Sequence, residues 1–507
     1  MLPSAFIAQI NEILDPDEVE KLCLTLTETM PPVSIRLNPK KLLAPPSKCT
    51  SPFVEPQPSS GAFALLALQD GRVPWCSQGF YLKQRPTFTI DPLLHAGAYY
   101  VQEASSMFVE QAYKRILAES EPHTLLDLCA APGGKSTLWR SLLPDGALLV
   151  ANEPIRSRAH ILEENLLKWG HPDVVCTSAF PAEFARLKEF FDVVAADVPC
   201  SGEGMFRKDP NARAEWSPKA VEICAQRQWE IIRDIWPALR TGGFLVYSTC
   251  TFNQKENEEM LVQICRELGA QLIEIPVEKA WHIAGSTLQS NARPMPVYHF
   301  FPHLVRGEGF FLALLQKTSG TASHQEFKSK SHSPKRFGMK ETFFKTSTSK
   351  FVPTTEPQTK SSKTTKRPAP KLDPTTCLSE SQHFQLLSTG ETIFAVRQTL
   401  FQEVQQICST VKTLHAGIPL AELKGTNLVP HPALALSSEF NTNAFPTIEF
   451  SYPQALAYLR REALTLPANL PKGHAIASYL SHPLGFLNNL GPRANNLYPQ
   501  NWRIRNL

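Results

Sequence analysis

Two cysteines fifty residues apart are the side chains of this sequence best suited to chemistry. Cys200 stands in Asp197-Val198-Pro199-Cys200-Ser201-Gly202-Glu203-Gly204, and Cys250 in Tyr247-Ser248-Thr249-Cys250-Thr251-Phe252. Each follows a short apolar run, Phe191–Ala196 and Phe244–Tyr247, the second opened by the turn-forming pair Gly242-Gly243. Runs of that length read as buried parallel strands. Ligands of open α/β sheets sit beyond the carboxyl ends of the strands, so residues ending two strands face one pocket. For a cytosine ring, a thiol pair has a specific use. The C5 atom is too electron-poor to take a methyl group directly, but a thiolate adding to C6 leaves an enamine whose C5 is nucleophilic. An acid at N3 eases the addition, a role open to Asp197 if burial raises its pKa, and a base must then take H5 so that the thiol can leave, which suits a second cysteine. A lone cysteine is more often a core filler; the pairing at two strand ends carries the reading.

A second constellation precedes the first. Leu125-Leu126-Asp127-Leu128-Cys129-Ala130-Ala131-Pro132-Gly133-Gly134-Lys135-Ser136 puts a glycine pair between a strand and a helix, where the backbone can approach a ligand and the helix offers free N–H donors. It is not a P-loop, since Cys129 occupies the first glycine's place, nor a dinucleotide fingerprint, since Ala131 does. Glu153, twenty residues after Gly133, ends the next strand and can accept ribose hydroxyls. That logic fits S-adenosylmethionine as well as NAD, although a dehydrogenase would leave both cysteines unexplained. Lys135, near cofactor and thiols, can lower a thiol pKa or meet ligand charge.

These residues need a sheet to hold them, and the surrounding pattern supplies one. Strands are predicted at 124–128, 147–151, 173–177, 192–196 and before Cys250, with closing strands at 271–275 and 310–315. Helices are predicted to Leu143, over 156–169, 181–189, 219–239 and 254–268. Such alternation means a mostly parallel α/β sheet. Before it, residues 1–95 read as a small α+β domain with helices on either side of Asp15-Pro16 and a strand over 32–39; Arg36, Lys40 and Lys41 read equally as a solvated face or an RNA contact. Residues 96–317 are the catalytic domain. From 318 to 376 the chain turns to Ser, Thr, Lys and Pro, with twelve Lys and Arg against four acids, the composition of a disordered basic linker. Residues 377–507 regain apolar periodicity as one or two small α+β domains, and their end mixes Tyr498, Trp502, Arg503 and Arg505, which reads either as a base-stacking surface or as core.

The totals narrow the class. A chain of 507 residues with 42% hydrophobic content predicts several packed domains, and no apolar run approaches the length of a membrane span. Eleven cysteines without a Cys-x-x-Cys pair or zinc spacing predict a reducing compartment and no structural metal. With no signal-peptide pattern at the start, the expectation is a soluble, cytoplasmic, monomeric protein.

The motifs Cys129–Lys135, Asp197–Gly204 and Ser248–Phe252 resemble the signatures of the Nop/Sun family of RNA cytosine-C5 methyltransferases, in particular its bacterial RsmF-like members. The resemblance is dense over 95–315. It implies a Rossmann-like class I S-adenosylmethionine-dependent methyltransferase core, a ferredoxin-like RNA-binding N-terminal extension and a PUA-like RNA-binding C-terminal module. It implies Cys250 as the nucleophile and Cys200 as the thiol that aids release, with Asp197 and Lys135 beside them. Cys129, Ala130, Ala131, Pro132, Gly133, Gly134, Lys135, Glu153 and Asp197 would line the cofactor site, and the substrate would be 16S ribosomal RNA or the small ribosomal subunit. The family often carries an acid after its third strand. Here the stretch is Thr177-Ser178-Ala179-Phe180, so that contact falls to Ser178 or a backbone N–H. The alternative is an RNA-binding ribosome assembly factor that keeps the fold without the catalysis.

Overall fold

The computed structural model describes residues 2–41, 69–288, 294–318, 373–425 and 427–505. The expected basic linker lies almost wholly outside the described residues, as does the proline-rich stretch 42–68. Among the described residues no helix is long and apolar enough to cross a membrane.

The strands Thr124–Asp127, Leu148–Asn152 and Val174–Thr177 step outward in one direction, and Phe191–Asp197 and Leu239–Thr249 continue on the other side of the first. All five are parallel, and their apolar runs are buried between helical layers, as a Rossmann-like sheet requires. Phe310–Lys317 pairs antiparallel with Leu239–Thr249 and carries Ala270–Ile273 at its far edge. The change of direction opens a crevice beyond Asp127 and Asp197.

Three helices are shorter than the periodicity predicts, one of them, Pro218–Ile235, giving way to the turn Trp236–Ala238 ahead of the strand from Leu239. Pro181–Phe184 is a single turn, because Phe184 and Leu187 must both enter the core before the chain swings through Glu189, at φ 50°, into the next strand. The helix expected from Gln254 begins at Glu258, because the Asn253 side chain accepts the Glu256 N–H at 2.9 Å and holds the preceding residues in a turn.

The N-terminal unit has helices Ser4–Asn11 and Pro16–Glu28 and an antiparallel sheet ordered Gln69–Arg72, Gly79–Leu82, Val33–Leu37, Tyr99–Val101. Its edge strand lies beyond the boundary expected at 95. Arg36 is neither a solvated nor an RNA-facing residue. It is fully buried, donates from Nη2 to Thr137 Oγ1 at 2.6 Å and stacks over Trp169 at 4.6 Å. Lys41 is likewise drawn inward, donating to Ala96 O at 2.6 Å, and burial pushes its pKa down to about 7. Lys40 alone stays at the surface, paired with Asp145.

Beyond the linker lie two four-stranded sheets. The first contains Phe384–Thr389, Thr392–Arg397, Ile418–Lys424 and Asn427–Pro430; the second contains Thr447–Glu449, Gly473–Tyr479, His482–Asn489 and Ala494–Asn496. Between Thr392–Arg397 and Ile418–Lys424 of the first, Thr413–Ala416 leaves its neighbours and adds to the catalytic sheet, antiparallel to Val174–Thr177. Arg397 fastens this seam by donating to Asp173 at 2.9 Å. The aromatic tail is core rather than a stacking surface: Tyr498 is 1% and Trp502 7% exposed, and both pack in one apolar cluster with Ile35 and Tyr99 of the N-terminal sheet.

Candidate active site

At the crevice lies a cavity of about 320 Å³. From the predicted set it takes Cys129, Ala130, Ala131, Pro132, Gly134, Lys135, Asp197 and Cys250; Asp127, Glu308 and Phe310 join them, with Tyr100 and Gln102 from the N-terminal side. A larger surface cleft of about 920 Å³ beside Gln271–Val277 has no cysteine or aspartate in its lining, so size alone does not mark the reactive place.

The glycine turn works as its sequence suggests. Gly133 has φ 115°, a left-handed conformation that an L side chain resists, and it opens the helix Gly134–Leu142, whose first turn has no side-chain cap. Asp127, ending the first strand, accepts from Ser136 Oγ at 2.6 Å, and burial pushes its pKa up to about 7. Burial also pushes the Cys129 thiol up, which leaves it a wall rather than a nucleophile.

Lys135 Nζ meets Asp197 Oδ2 at 2.8 Å and sits 5.3 Å from the centre of the Phe310 ring. Burial opposes its charge, but Asp197, with Asp127 and Cys250 nearby, holds its pKa above the ordinary value. The other carboxylate oxygen of Asp197 accepts from Ser248 Oγ at 2.8 Å, tying the two strand ends together. The two thiols meet there: Cys200 Sγ lies 3.2 Å from Cys250 Sγ and accepts the Cys250 backbone N–H at 3.3 Å. Cys200 stands just behind the cavity wall that Cys250 forms. Its hydrogen bond with Cys250 and its burial hold its pKa well above the usual thiol range, so it keeps its proton.

Two buried carboxylates fix this geometry. Glu203 accepts the backbone N–H groups of Phe252 at 2.7 Å and Asn253 at 3.1 Å, and also Gln9 Nε2 at 2.8 Å from the first N-terminal helix. Glu256 accepts the Ser201 N–H at 3.0 Å and Gln228 Nε2 at 2.7 Å. Each cysteine loop is thus held by an acid of the other. Gly204 permits the closest approach: its N–H reaches Cys250 O at 2.8 Å, and a Cβ there would lie 2.6 Å from Gly309 O.

Some predicted residues are placed elsewhere. Gly133 and Glu153 are not among the lining residues. Glu153 accepts the Ile155 N–H at 3.0 Å and pairs with Arg158 at 3.2 Å, so its carboxylate serves its own helix start. After the third strand, the Ser178 N–H is taken by Lys412 O and the Ala179 N–H by Asn152 Oδ1, so neither is free for a ligand. Asp127 and Glu203 were within sight in the quoted motifs, where an acid at a strand end and an acid between two glycines were the available signals; Gln102 and Glu308 had none.

Fold and site together define a class I S-adenosylmethionine-dependent methyltransferase. The chain matches the family described as 16S rRNA methyltransferase RsmB/F over residues 114–316, the N-terminal domain of 16S rRNA methyltransferase RsmF over 2–104, and the methyltransferase RsmF PUA domain over 445–504. It is 28% identical over 510 residues, 98% of this chain and 96% of the other, to ribosomal RNA small subunit methyltransferase F of Erwinia tasmaniensis. The protein of the same name from Pectobacterium atrosepticum is 36% identical over 251 residues, 48% of this chain and 51% of its own. A crystal structure of the protein PH0851 has the same fold, with TM-score 0.50 and 23% identity over 62% of this chain and 66% of that one. The chain is an RsmF-like member of the Nop/Sun family of RNA methyltransferases, and S-adenosylmethionine is its cofactor. The cavity suits that molecule. The uncapped helix start offers donors to an anionic end, and Asp127 offers a carboxylate to a cationic one.

Proposed function

We propose that the protein methylates C5 of cytidine in 16S ribosomal RNA, through a covalent bond between Cys250 and C6 of the base. The observation that carries this reading is the pair of sulfurs 3.2 Å apart at the wall of a cofactor cavity, beside an Asp–Lys pair. The cofactor supplies an electrophilic methyl group on a sulfonium. The Cys250 thiolate bonds to C6, the C5–C6 π electrons shift to C4–C5 and those of C4–N3 move onto N3, which takes a proton held there by Asp197 and Lys135. After C5 has gained the methyl group, H5 is removed and the Cys250–C6 bond breaks, restoring the ring. Cys200, in its thiolate form, is the base for H5. Cys250 lines the cavity while Cys200 stands behind it, which supports Cys250 as the attacking thiol.

Such a reaction needs a base turned out of its helix, since both C5 and C6 must be reached. The N-terminal and C-terminal units, at the expected boundaries 1–95 and 377–507, extend the surface available to RNA. The test is methylation of unmodified small ribosomal subunits with labelled S-adenosylmethionine, followed by mass-spectrometric mapping. New 5-methylcytidine is expected with the wild type and none with Cys250→Ala, while Cys200→Ala accumulates a protein–RNA adduct stable to denaturation. Label at another atom or in another base would overturn the chemistry, and full turnover by Cys250→Ala would overturn the nucleophile. Absence of label in subunits and in naked RNA would favour the assembly factor.

A further inference from the structure

The N-terminal sheet contributes a side chain to the cavity that the catalytic motifs do not contain. Gln102 follows the edge strand Tyr99–Val101, lines the cavity and is 5% exposed. Its amide orientation is fixed by its neighbours. Arg36 Nε, which can only donate, lies 2.8 Å from Oε1. Nε2 therefore faces the other way, where it donates to Ser106 Oγ at 3.2 Å. Ser106 Oγ is available as acceptor because its own hydrogen goes to Glu103 O at 2.7 Å. This accounts for one of the two Nε2 hydrogens, and the second has no acceptor among the described residues.

That spare donor lies against the glycine turn. A Cβ built on Gly134 would be 3.8 Å from Gln102 Cδ, and Gly134 begins the helix whose first turn has no side-chain cap. A nearly buried amide N–H and free helix N–H groups thus converge on the same corner, an arrangement that favours an anion. The carboxylate is the anionic group of S-adenosylmethionine. Arg36 secures the arrangement from behind by donating to Gly134 O at 3.2 Å as well as to Gln102.

We propose that Gln102 binds the carboxylate at the amino-acid end of S-adenosylmethionine, with Arg36 as the positioning residue, so that the N-terminal domain completes the cofactor site. The proposal rests on the methyltransferase reading only for the identity of the cofactor. A hydrogen bond to a charged group is worth about 1.5–3 kcal/mol, or about 10- to 100-fold in affinity.

The test is calorimetric binding to the full chain of S-adenosylhomocysteine and of 5′-methylthioadenosine, which lacks the amino-acid end. Gln102→Met is expected to weaken S-adenosylhomocysteine about 10- to 100-fold and to leave 5′-methylthioadenosine within about twofold. Gln102→Glu, which keeps an acceptor for Arg36 and so preserves the fold, repels the carboxylate and gives the same selective loss. Arg36→Met reproduces it although Arg36 does not line the cavity. Equal weakening of both ligands would reduce Gln102 to a packing residue and overturn the proposal. Unchanged S-adenosylhomocysteine affinity with a raised KM for RNA would transfer the donor to an RNA phosphate and overturn it too. Failure of the wild type to bind S-adenosylhomocysteine would instead strike the cofactor assignment itself.

Discussion

The N-terminal and C-terminal units invite the same reading from sequence, as small RNA-binding appendages, and they even share an apolar cluster. They relate to the cavity in opposite ways. The N-terminal unit lies across the carboxyl ends of the strands and lends the cavity Tyr100 and Gln102, while Gln9 reaches the loop that follows Cys250 through Glu203. The C-terminal unit joins the far edge of the sheet, through Thr413–Ala416 on Val174–Thr177 and Arg397 on Asp173, and gives the cavity none of its lining. What an appended domain can do to a reaction depends on whether it covers the strand ends or an edge strand.

That contrast can be broken by cutting each seam. Arg397→Met leaves the fully buried Asp173 carboxylate without its ion-pair partner, at a cost of about 3 kcal/mol. Urea unfolding should record that loss while calorimetry finds S-adenosylhomocysteine affinity unchanged; a matching loss of affinity would erase the distinction between the two seams. The sulfur pair should respond only to what lies at the strand ends. In the adduct Cys250 is a thioether and burial still holds the proton on Cys200, so its thiolate fraction, and with it the release of Cys250 from methylated RNA, should rise about five- to tenfold from pH 7 to 8. Rapid-quench single turnovers would detect this, and a flat profile would remove Cys200 as the base.

A smaller effect belongs to Asp127. Its carboxyl, raised to about 7 by burial, is largely neutral at pH 6 and ionised at pH 8, and only the ionised form attracts the cofactor's cationic groups. Cofactor binding should therefore tighten by up to about tenfold as pH rises through that window, and Asp127→Asn should bind without the slope. Arg397→Met should keep it. The smallest expected change is Trp502→Phe, which trims a buried ring and should cost about 1 kcal/mol in urea unfolding without altering affinity for ribosomal RNA. A selective loss of RNA binding would restore Trp502 as a stacking residue.

By itself the sequence determined the parallel sheet, the glycine turn and the convergence of Cys200 with Cys250. Each of these rests on local order: a strand, a turn and a helix at short spacing fix where a side chain stands, so Lys135, Asp197 and both cysteines were legible as one site. Only the tertiary structure decided which distant segments close it. Gln102 reads as an ordinary loop residue until Arg36, sixty-six positions away, orients its amide. Arg36 itself reads as a solvated cation until Thr137, Gly134 and Trp169 surround it. Glu153 has the spacing of a ribose acceptor, and only the tertiary structure shows that its carboxylate also meets Arg158 of the helix that follows. Thr413–Ala416 is too short to announce itself as a strand of a sheet built more than two hundred residues earlier. Periodicity and turn chemistry are properties of neighbouring residues. Burial of a charge, orientation of an amide and pairing of an edge strand depend on which remote surfaces meet.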